Sequence, residues 1–383
     1  MLYRRFPKIE DVEVSALGLG CMRLPTKGGD AAAIDEAAVE DMFRAAIDSG
    51  INYIDTAWPY HREMSEAVVG RTLARLGARD KVYLATKCPV WLVKEEDDWE
   101  RYLDSQLTRL QTDHIDFYLF HALDAGRWDL VKRLHGLDFI ARARRDGRIR
   151  HAGFSFHDSL TVFKDIIDGW EGWEFCQIQY NYMDGEYQAG TAGLEHAAAR
   201  QVGVIVMEPL RGGGLARVPD PVLDIFGKWK VPRRPAEWGL RYVLDRQEVV
   251  TTLSGMGRVD EILENAAVAG SARPNSLLAS EKDIINKARD FFLAGQRVPC
   301  TTCAYCKPCP SGVDIPGVFG MWNTAVMYDD RAGRSLWYKG SLMSEGSAAD
   351  QCTRCLECLD KCPQHIMIPD RLEEAHAYLV GTA

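Results

Sequence analysis

Four hydrophobic runs of the chain end in polar residues, and a fifth polar residue follows the first run closely. The runs end at Asp55, Lys87, His121 and Ser155, and Tyr60 lies five positions after Asp55. Carboxylate, ammonium, imidazole and phenol groups are those that enzymes use for proton transfer. Taken singly, each residue has an ordinary structural explanation, such as a turn former for Asp55. Taken together, they are candidates for an acid–base site.

Eight of the eleven cysteines fall into two tight groups, which in a large chain indicates metal binding rather than disulfides. The groups are Cys300, Cys303, Cys306 and Cys309, followed by Cys352, Cys355, Cys358 and Cys362. The second group has the C-x2-C-x2-C-x3-C-P spacing of bacterial ferredoxins. In that spacing the fourth cysteine commonly binds the other of two clusters. The spacing therefore predicts two four-iron (4Fe-4S) clusters.

The ferredoxin spacing also predicts how the two clusters share their ligands. One cluster is expected to bind Cys300, Cys303, Cys306 and Cys362, and the other to bind Cys352, Cys355, Cys358 and Cys309. The first group departs slightly from the pattern, because two residues rather than three precede Cys309. Zinc and disulfides are the alternatives. Zinc sites typically use two separated pairs of ligands, which these runs of four do not resemble.

Eight short β-branched or aromatic runs recur over the first 275 residues, with helical patterns between them. They lie at 14–20, 51–57, 81–87, 114–121, 149–155, 175–181, 202–210 and 249–255. This alternation predicts a parallel sheet covered by helices, and eight units favour a closed (β/α)8 TIM barrel over an open doubly wound sheet. No GxGxxG motif follows an early strand, which counts against a Rossmann domain. In such a barrel the polar strand ends lie on the rim that carries the chemistry.

Helix signals between the runs support this arrangement. Val39, Met42 and Phe43 lie on one helical stripe, and Gly50 follows where a C-terminal cap belongs. Ser65, followed by an apolar helical pattern, is predicted to cap the start of the next helix.

The pattern changes after residue 275, where strand-like runs stop and helical patterns replace them. Ile284, Ile285, Ala288 and Phe292 lie on one face of a predicted helix. The segment between the two cysteine groups is also helical in pattern. The sequence therefore predicts a barrel domain at 1–275 and a small α-helical ferredoxin-like domain at 276–383.

Composition and charge exclude several classes of partner. The formal net charge of −9 argues against nucleic acid or an anionic membrane surface. No apolar run approaches the roughly 18 residues that span a bilayer. The first residues, MLYRRFPKIEDVEV, do not form a secretory signal. These features favour a cytoplasmic protein that acts on a small molecule.

The polar strand ends and their neighbours resemble those of the aldo-keto reductases. The matching segments are GINYIDTAWPY (50–60), ATK (85–87), the strand ending at His121, GFS (153–155), QIQYN (177–181), MEPLRGGG (207–214) and SGMGRVDEILEN (254–265). The resemblance covers 1–275. GFSFHD (153–158) and QYNYMD (179–184) extend it to a subgroup with a fused ferredoxin-type domain.

This resemblance implies a role for each of four residues in carbonyl reduction. Tyr60 would be the general acid that protonates the carbonyl oxygen. Lys87 would favour the phenolate and so lower the pKa of that phenol from about 10. Asp55 would hold Lys87 charged and oriented, and His121 would position the carbonyl.

The resemblance also implies a nicotinamide cofactor, NAD(H) or NADP(H). Ser155 and Gln177 match the positions that hold the nicotinamide amide, although Phe156 replaces the asparagine that usually follows the serine. Met207 stands where an aromatic residue often covers the nicotinamide ring, and a methionine can also pack on a ring. The loop expected to approach the pyrophosphate contains Leu210, Arg211 and Gly212.

The loop after the last strand is expected to meet the adenosine end. Its matching residues are Gly255, Met256, Arg258, Glu261, Glu264 and Asn265. A carboxylate at Glu261 could accept a hydrogen bond from a ribose hydroxyl and repel a 2′-phosphate, while Arg258 could offset this effect. NADH is therefore slightly favoured over the family's usual NADPH, and both stay open.

Three functions are compatible with these features. The favoured one is an NAD(P)H-dependent oxidoreductase that interconverts a carbonyl and an alcohol, with clusters that exchange electrons with a partner protein or the substrate. In the second, the chain is an electron-transfer or assembly subunit and the barrel is a scaffold or cofactor-binding module. In the third, the clusters are structural or sense the redox state. Nicotinamide transfers two electrons as hydride whereas a cluster normally transfers one, so the coupling is open.

Overall fold

The computed structural model describes residues 1–300, 306–362 and 364–381. The chain divides into two compact units. One unit comprises Met1–Ala216 and Ala236–Leu278, and the other comprises Arg217–Pro235 and Ala279–Ala383. The boundary thus lies near the predicted one, and the segment Arg217–Pro235 groups with the second unit. The exact division into domains stays a prediction.

The strands all belong to the first unit. In chain order they are β1 (Tyr3–Arg5), β2 (Glu13–Ser15), β3 (Leu17–Gly20), β4 (Tyr53–Asp55), β5 (Tyr83–Cys88), β6 (Ile115–Leu123), β7 (Ile149–Phe156), β8 (Phe175–Gln179), β9 (Gly203–Met207) and β10 (Val249–Ser254).

Strands β3 to β10 form a closed barrel in sequence order, with β10 pairing with both β9 and β3. Every pair in the barrel is parallel. The predicted (β/α)8 TIM barrel is therefore confirmed, and each of the eight predicted runs overlaps one barrel strand, with β5, β6 and β7 extending one or two residues further. Since all the strands run in the same direction, their carboxyl ends share one rim.

The helices in chain order are α1 (Glu36–Asp48), α2 (Ser65–Leu76), α3 (Asp97–Leu110), α4 (Ala125–Arg133), α5 (Gly136–Arg145), α6 (Leu160–Asp168), α7 (Gly190–Ala199), α8 (Asp220–Gly227), α9 (Pro235–Leu244), α10 (Val259–Ala269), α11 (Ala279–Ala294), α12 (Ile315–Met327), α13 (Arg331–Tyr338) and α14 (Ile368–Val380).

Helix α1 forms as its pattern predicts. The Asp35 side chain accepts a hydrogen bond from the Ala38 amide at its start, and Val39, Met42 and Phe43 are buried. Gly50 follows its end with a φ of +84°, a conformation that favours glycine. This short, well-capped helix brings the chain back to the start of β4.

The prediction that Ser65 caps α2 is wrong. Ser65 is the first residue of the helix, and Met64 occupies the cap position without a side-chain hydrogen bond. The buried hydroxyl of Ser65 instead donates to the Cys21 carbonyl, 3.2 Å away, and lies 2.9 Å from the Thr56 hydroxyl. Tertiary partners next to the barrel rim therefore replaced the local cap.

The β1–β2 hairpin closes the amino-terminal end of the barrel. Phe6 follows β1, and its ring lies 5.1 Å from that of Phe117 and 6.0 Å from that of Phe175. Both partners lie near the starts of their strands. A Cβ added at Gly203 would come within 2.4 Å of the Phe6 ring, so the glycine makes room for it. The opposite, carboxyl-terminal rim is therefore the end of the barrel that can carry an active site.

The second unit is helical in its described part, as predicted. Helices α12, α13 and α14 pack around a core that includes Val318, Phe319, Tyr338 and Leu372. Helix α8 packs on α11. Among the helices that the structure describes, none is both long and apolar enough to cross a membrane.

Candidate active site and cysteine cavity

Three of the predicted catalytic side chains meet on the carboxyl-terminal rim. Asp55 is the last residue of β4, and Lys87 is the last but one of β5. The Nζ atom of Lys87 donates to Asp55 Oδ1 at 2.7 Å and to the Thr56 carbonyl at 2.9 Å. It also lies 3.4 Å from the Tyr60 hydroxyl. Lys87 is fully buried, so the ammonium group has a fixed position and a fixed partner.

His121 completes this cluster from β6. Its ring lies 6.2 Å from the Tyr60 ring in an edge-to-face arrangement, and 5.1 Å from the Trp91 ring. The Nδ1 atom of His121 is buried and has no hydrogen-bond partner in the described part of the chain. An unpaired polar atom at such a place is costly unless a ligand satisfies it. The cluster is therefore arranged to receive a polar group.

Burial sets the protonation state of each group. It raises the pKa of the Tyr60 phenol above the ordinary 10.0, because Lys87 offsets only part of the effect. Burial and the Lys87 cation hold the pKa of His121 well below 6.5. Burial alone would lower the pKa of Lys87, but Asp55 and Tyr60 raise it above its ordinary value. At neutral pH the site thus holds a neutral phenol, an ammonium and a neutral imidazole.

This result corrects one expectation. Lys87 does act to lower the pKa of Tyr60, as expected, but the net pKa lies above the ordinary value rather than below it. Desolvation of the phenolate outweighs the attraction of the cation.

In the second unit, five cysteines line one cavity. They are Cys306, Cys309, Cys352, Cys355 and Cys358. The described cysteines are all free thiols. Cys309 is close enough to Cys358 to interact with it electrostatically. The cavity thus brings Cys306 and Cys309 of the first group to the first three cysteines of the second group. How the cysteines divide between two clusters stays a prediction.

The chemistry of this cavity fits an iron–sulfur cluster. Iron–sulfur clusters are held by cysteine thiolates, and five cysteines line this one cavity. Cys300 and Cys362 pack against the core of this unit. Cys303, the remaining predicted ligand, lies outside the described residues.

Comparison with known proteins assigns both regions. Residues 16–274, more than half of the chain, match the Aldo/keto reductase family. The chain belongs to the aldo/keto reductase family. Residues 299–367 match a 4Fe-4S dicluster domain. This aldo/keto reductase is therefore an oxidoreductase with a C-terminal 4Fe-4S domain, as the sequence resemblance implied.

Relatives of this aldo/keto reductase span most of its barrel. An uncharacterised oxidoreductase of Schizosaccharomyces pombe is 28% identical, over 69% of this chain and 84% of its own length. L-galactose dehydrogenase of Arabidopsis thaliana is 26% identical, over 67% of this chain and 84% of its own length. The holo form of an aldo-keto reductase from Bacillus halodurans is 26% identical, with a TM-score of 0.62 over 75% of this chain and 96% of that chain. A Klebsiella pneumoniae aldo-keto reductase solved with NADPH shares the fold, with a TM-score of 0.60 and 23% identity over 75% of this chain and 95% of that chain.

A buried polar network lies behind Lys87 in the reductase barrel. Gln106 of α3 donates to the Lys87 carbonyl at 3.0 Å and to the Glu66 carboxylate at 2.5 Å. Glu66 also accepts from the Thr86 hydroxyl at 2.6 Å, and Tyr118 donates to Gln106 at 2.8 Å. These bonds fix the backbone of β5 where it presents the ammonium group.

The buried ion pair gives a stability prediction. We expect Lys87→Met to lower the free energy of unfolding by about 3 kcal/mol, because it leaves the Asp55 carboxyl buried without its cation. Urea unfolding would measure the change. Lys81→Met is a matched control, since Lys81 is exposed just before the same strand. Adding Asp55→Asn to Lys87→Met should recover part of the loss, and a single variant as stable as the control would contradict the prediction.

The two residues expected to hold the nicotinamide amide lie on neighbouring strands. The Ser155 hydroxyl accepts a 2.7 Å hydrogen bond from the Ala122 amide, which leaves its own proton available. Gln177 directs Nε2 towards the Met207 sulfur, 3.6 Å away. Its Oε1 is buried and has no partner among the described residues. One donor and one acceptor are therefore available, as a carboxamide requires.

The loop after β9 pairs with Asp184, a residue after β8 to which the sequence analysis gave no role. Arg211 lies 3.5 Å from the carboxylate of Asp184, which is buried. Gln179 and Asn181 also donate to this carboxylate, at 2.8 and 2.7 Å. The QYNYMD segment contained these residues, but only the fold shows that they converge. Leu210 packs towards Gly239 of α9, and Gly212 has a φ of +68°.

The predicted cofactor-binding residues after β10 differ in their partners and in their burial. Glu261 accepts a 2.9 Å hydrogen bond from the Gly257 amide and lies 3.8 Å from Arg258. Arg258 pairs more closely with Asp260, at 2.8 Å. Asn265 donates to the Ser254 hydroxyl at 3.4 Å. Met256 is part of the barrel's hydrophobic core, and Gly255 and Glu264 lie on this loop and on α10.

Five aromatic side chains near the rim differ in whether they line the site or pack in the interior. Trp91 lies next to His121 and is partly exposed, so it lines the site. Trp58 is buried under the Arg109 guanidinium, which lies 3.6 Å from its ring centre. Trp128 and Tyr182 are buried, and His157 follows β7 on the rim.

Proposed function

We propose that the barrel interconverts a carbonyl and an alcohol with NAD(P)H as reductant, at Asp55, Tyr60, Lys87 and His121. The observation that carries this proposal is the buried Lys87 ammonium, bonded to Asp55 at 2.7 Å and lying 3.4 Å from the Tyr60 hydroxyl. A surface lysine would be mobile and solvated. A lysine buried between a carboxylate and a phenol is suited to proton transfer.

Each side chain then has a distinct task. His121 donates a hydrogen bond to the substrate oxygen, which its neutral imidazole can do without adding a charge. Tyr60 gives its proton to that oxygen as negative charge develops there. The Lys87 cation stabilises the phenolate that remains, and Asp55 keeps the cation in place. In the direction of alcohol oxidation the same groups take up the proton.

The rim fits a nicotinamide dinucleotide. Ser155 would donate to the carboxamide oxygen, and the unpaired Oε1 of Gln177 would accept from its nitrogen. Met207 would pack on the ring. The loop with Leu210, Arg211 and Gly212 would hold the phosphates, and the Gly255–Asn265 segment would hold the adenosine. When bound, the reduced cofactor supplies hydride to the carbonyl carbon.

For the second unit, we infer two 4Fe-4S clusters that exchange single electrons with a partner protein or the substrate. The five cysteines around one cavity and the match to a dicluster domain support this inference. Cys300, Cys303, Cys306 and Cys362 would hold one cluster. Cys352, Cys355, Cys358 and Cys309 would hold the other.

An anaerobic assay tests the reductase proposal. Purified protein is mixed with NADH or NADPH and a panel of aldehydes and ketones, and nicotinamide oxidation is followed by absorbance. We expect turnover that depends on the carbonyl compound. Cluster reduction by NAD(P)H without any carbonyl, and no turnover with any member of the panel, would instead indicate an electron-transfer subunit.

The protonation states predict the pH dependence of carbonyl reduction. A general acid must be protonated, so the rate falls as the pH rises through its pKa. The pKa of Tyr60 is raised above 10.0 and that of His121 is held well below 6.5. We therefore expect kcat to be constant between pH 6.5 and 9 and to fall only in more alkaline solution. A descending limb near pH 7 would contradict this assignment.

A further inference from the structure

Arg23 lies between two glycine-containing loops of the barrel rim. It follows β3, in the short helical turn Cys21–Arg23. A Cβ added at Gly212 would lie 3.5 Å from its Nη2 atom, and a Cβ added at Gly255 would lie 3.3 Å from its Nη1 atom. One guanidinium group therefore lies beside both the loop after β9 and the loop after β10.

The charge of this guanidinium is not balanced within the described part of the chain. Other arginines on the rim each have a carboxylate: Arg211 lies 3.5 Å from Asp184, and Arg258 lies 2.8 Å from Asp260. No described residue forms an ion pair or a hydrogen bond with the Arg23 side chain. An exposed planar cation with five donors and no counter-ion among the described residues is suited to bind an anion with several oxygens.

The backbone around Arg23 is open to a ligand. Gly212 and Gly213 have φ values of +68° and +96°, which favour glycine and leave the loop without side chains at these positions. A side chain at Gly255 would crowd the guanidinium at 3.3 Å. Glycines from two loops and one cation thus form a surface that a phosphate group can approach closely.

We propose that Arg23 binds the pyrophosphate of the nicotinamide dinucleotide. This inference rests on the proposed function, which places the nicotinamide at Ser155, Gln177 and Met207 and the adenosine along α10. Gly212 lies five residues after Met207 in sequence, and Gly255 lies four residues before the start of α10. The position of Arg23 between these two glycines is where the phosphates that join the two halves must pass. Arg211 shares its charge with Asp184, so Arg23 supplies the uncompensated charge.

Binding of three nicotinamide compounds to the full-length protein and to Arg23→Gln tests this proposal. The probes are NADH, NADPH and reduced nicotinamide riboside, which contains the nicotinamide and its ribose but no phosphate. We expect the Kd of Arg23→Gln for NADH and for NADPH to rise about 10- to 100-fold, as for the loss of a charged hydrogen bond. Binding of the riboside should be unchanged, and the effect should shrink at high salt.

A matched control and the alternative outcomes separate the explanations. Arg62→Gln removes another exposed arginine from a rim loop, where it pairs with Asp30 at 3.7 Å, and should leave all three Kd values unchanged. An effect on NADPH alone would overturn the proposal in favour of a 2′-phosphate contact. An equal loss for the phosphate-free riboside, or no loss for any probe, would also overturn it. If the unmodified protein binds none of the three probes, the proposed function itself fails.

Discussion

Tyr60→Phe is expected to lower the rate of carbonyl reduction by about 10²- to 10⁴-fold, the usual contribution of a general acid. The variant removes one oxygen and leaves the ring, so its contact with the His121 ring is kept. Lys87 keeps its bonds to Asp55 and to the Thr56 carbonyl. Binding of NAD(P)H should therefore be unchanged, and single-turnover measurements of hydride transfer would isolate the loss.

Tyr3→Phe provides the control for this variant. Tyr3 is exposed, and its hydroxyl donates to the Gly50 carbonyl at 3.0 Å, beside the hairpin β1–β2. Its loss should leave turnover unchanged. If Tyr60→Phe retained the activity of the unmodified protein, the phenol would not be the proton donor. If cofactor binding fell as much as turnover, Tyr60 would be a structural residue.

The barrel could be predicted because its strands are encoded locally. A buried parallel strand requires a short apolar, β-branched run, and a run such as VVTTLSG (249–255) meets that requirement without reference to distant residues. Once eight parallel strands close, the direction of the chain places their carboxyl ends on one rim. The meeting of Asp55 and Lys87 followed from this geometry together with the family resemblance.

Features that depend on tertiary contacts could not be predicted. Ser65 has the residue type of a helix cap, but its hydroxyl bonds to the Cys21 carbonyl and lies beside the Thr56 hydroxyl. Cys21 is 44 positions away in sequence and Thr56 is 9 positions away, so a local pattern does not show either contact. No sequence pattern pointed to Arg23, because its proposed role depends on its position beside two glycines roughly 190 and 230 positions away. Local propensity is a weak guide wherever buried partners compete with it.

The protonation states were equally beyond the sequence. The family resemblance indicated that the Lys87 cation lies next to the Tyr60 phenol, and hence that the pKa of the phenol is lowered. The sign of the net shift depends on how completely the phenol is removed from water, which only the packed structure gives. A raised pKa suits a proton donor, since the phenol stays protonated over the neutral range. It also means that the phenolate left after proton transfer depends on Lys87 for stabilisation.

The largest effect in the second unit is expected from pairs of cysteine variants. Two 4Fe-4S clusters correspond to about eight irons per chain, and loss of either cluster should leave about four. In the crossed arrangement Cys309 and Cys358 hold the same cluster, whereas Cys306 and Cys358 hold different ones. Cys309→Ala combined with Cys358→Ala should therefore leave about four irons. Cys306→Ala combined with Cys358→Ala should remove both clusters.

Iron and sulfide content of anaerobically purified variants would measure this difference. Cys176→Ala is the control, because Cys176 is buried in the barrel core and should not affect the iron content. An uncrossed arrangement predicts that the Cys309 and Cys358 pair also loses all its iron, so this pair distinguishes the two arrangements. Zinc without sulfide in the unmodified protein would reject the clusters altogether. Since the barrel forms a compact unit of its own, carbonyl reduction with NAD(P)H should persist in the cluster-free variant if the clusters are structural or sense the redox state. Loss of this activity would mean that the clusters take part in turnover.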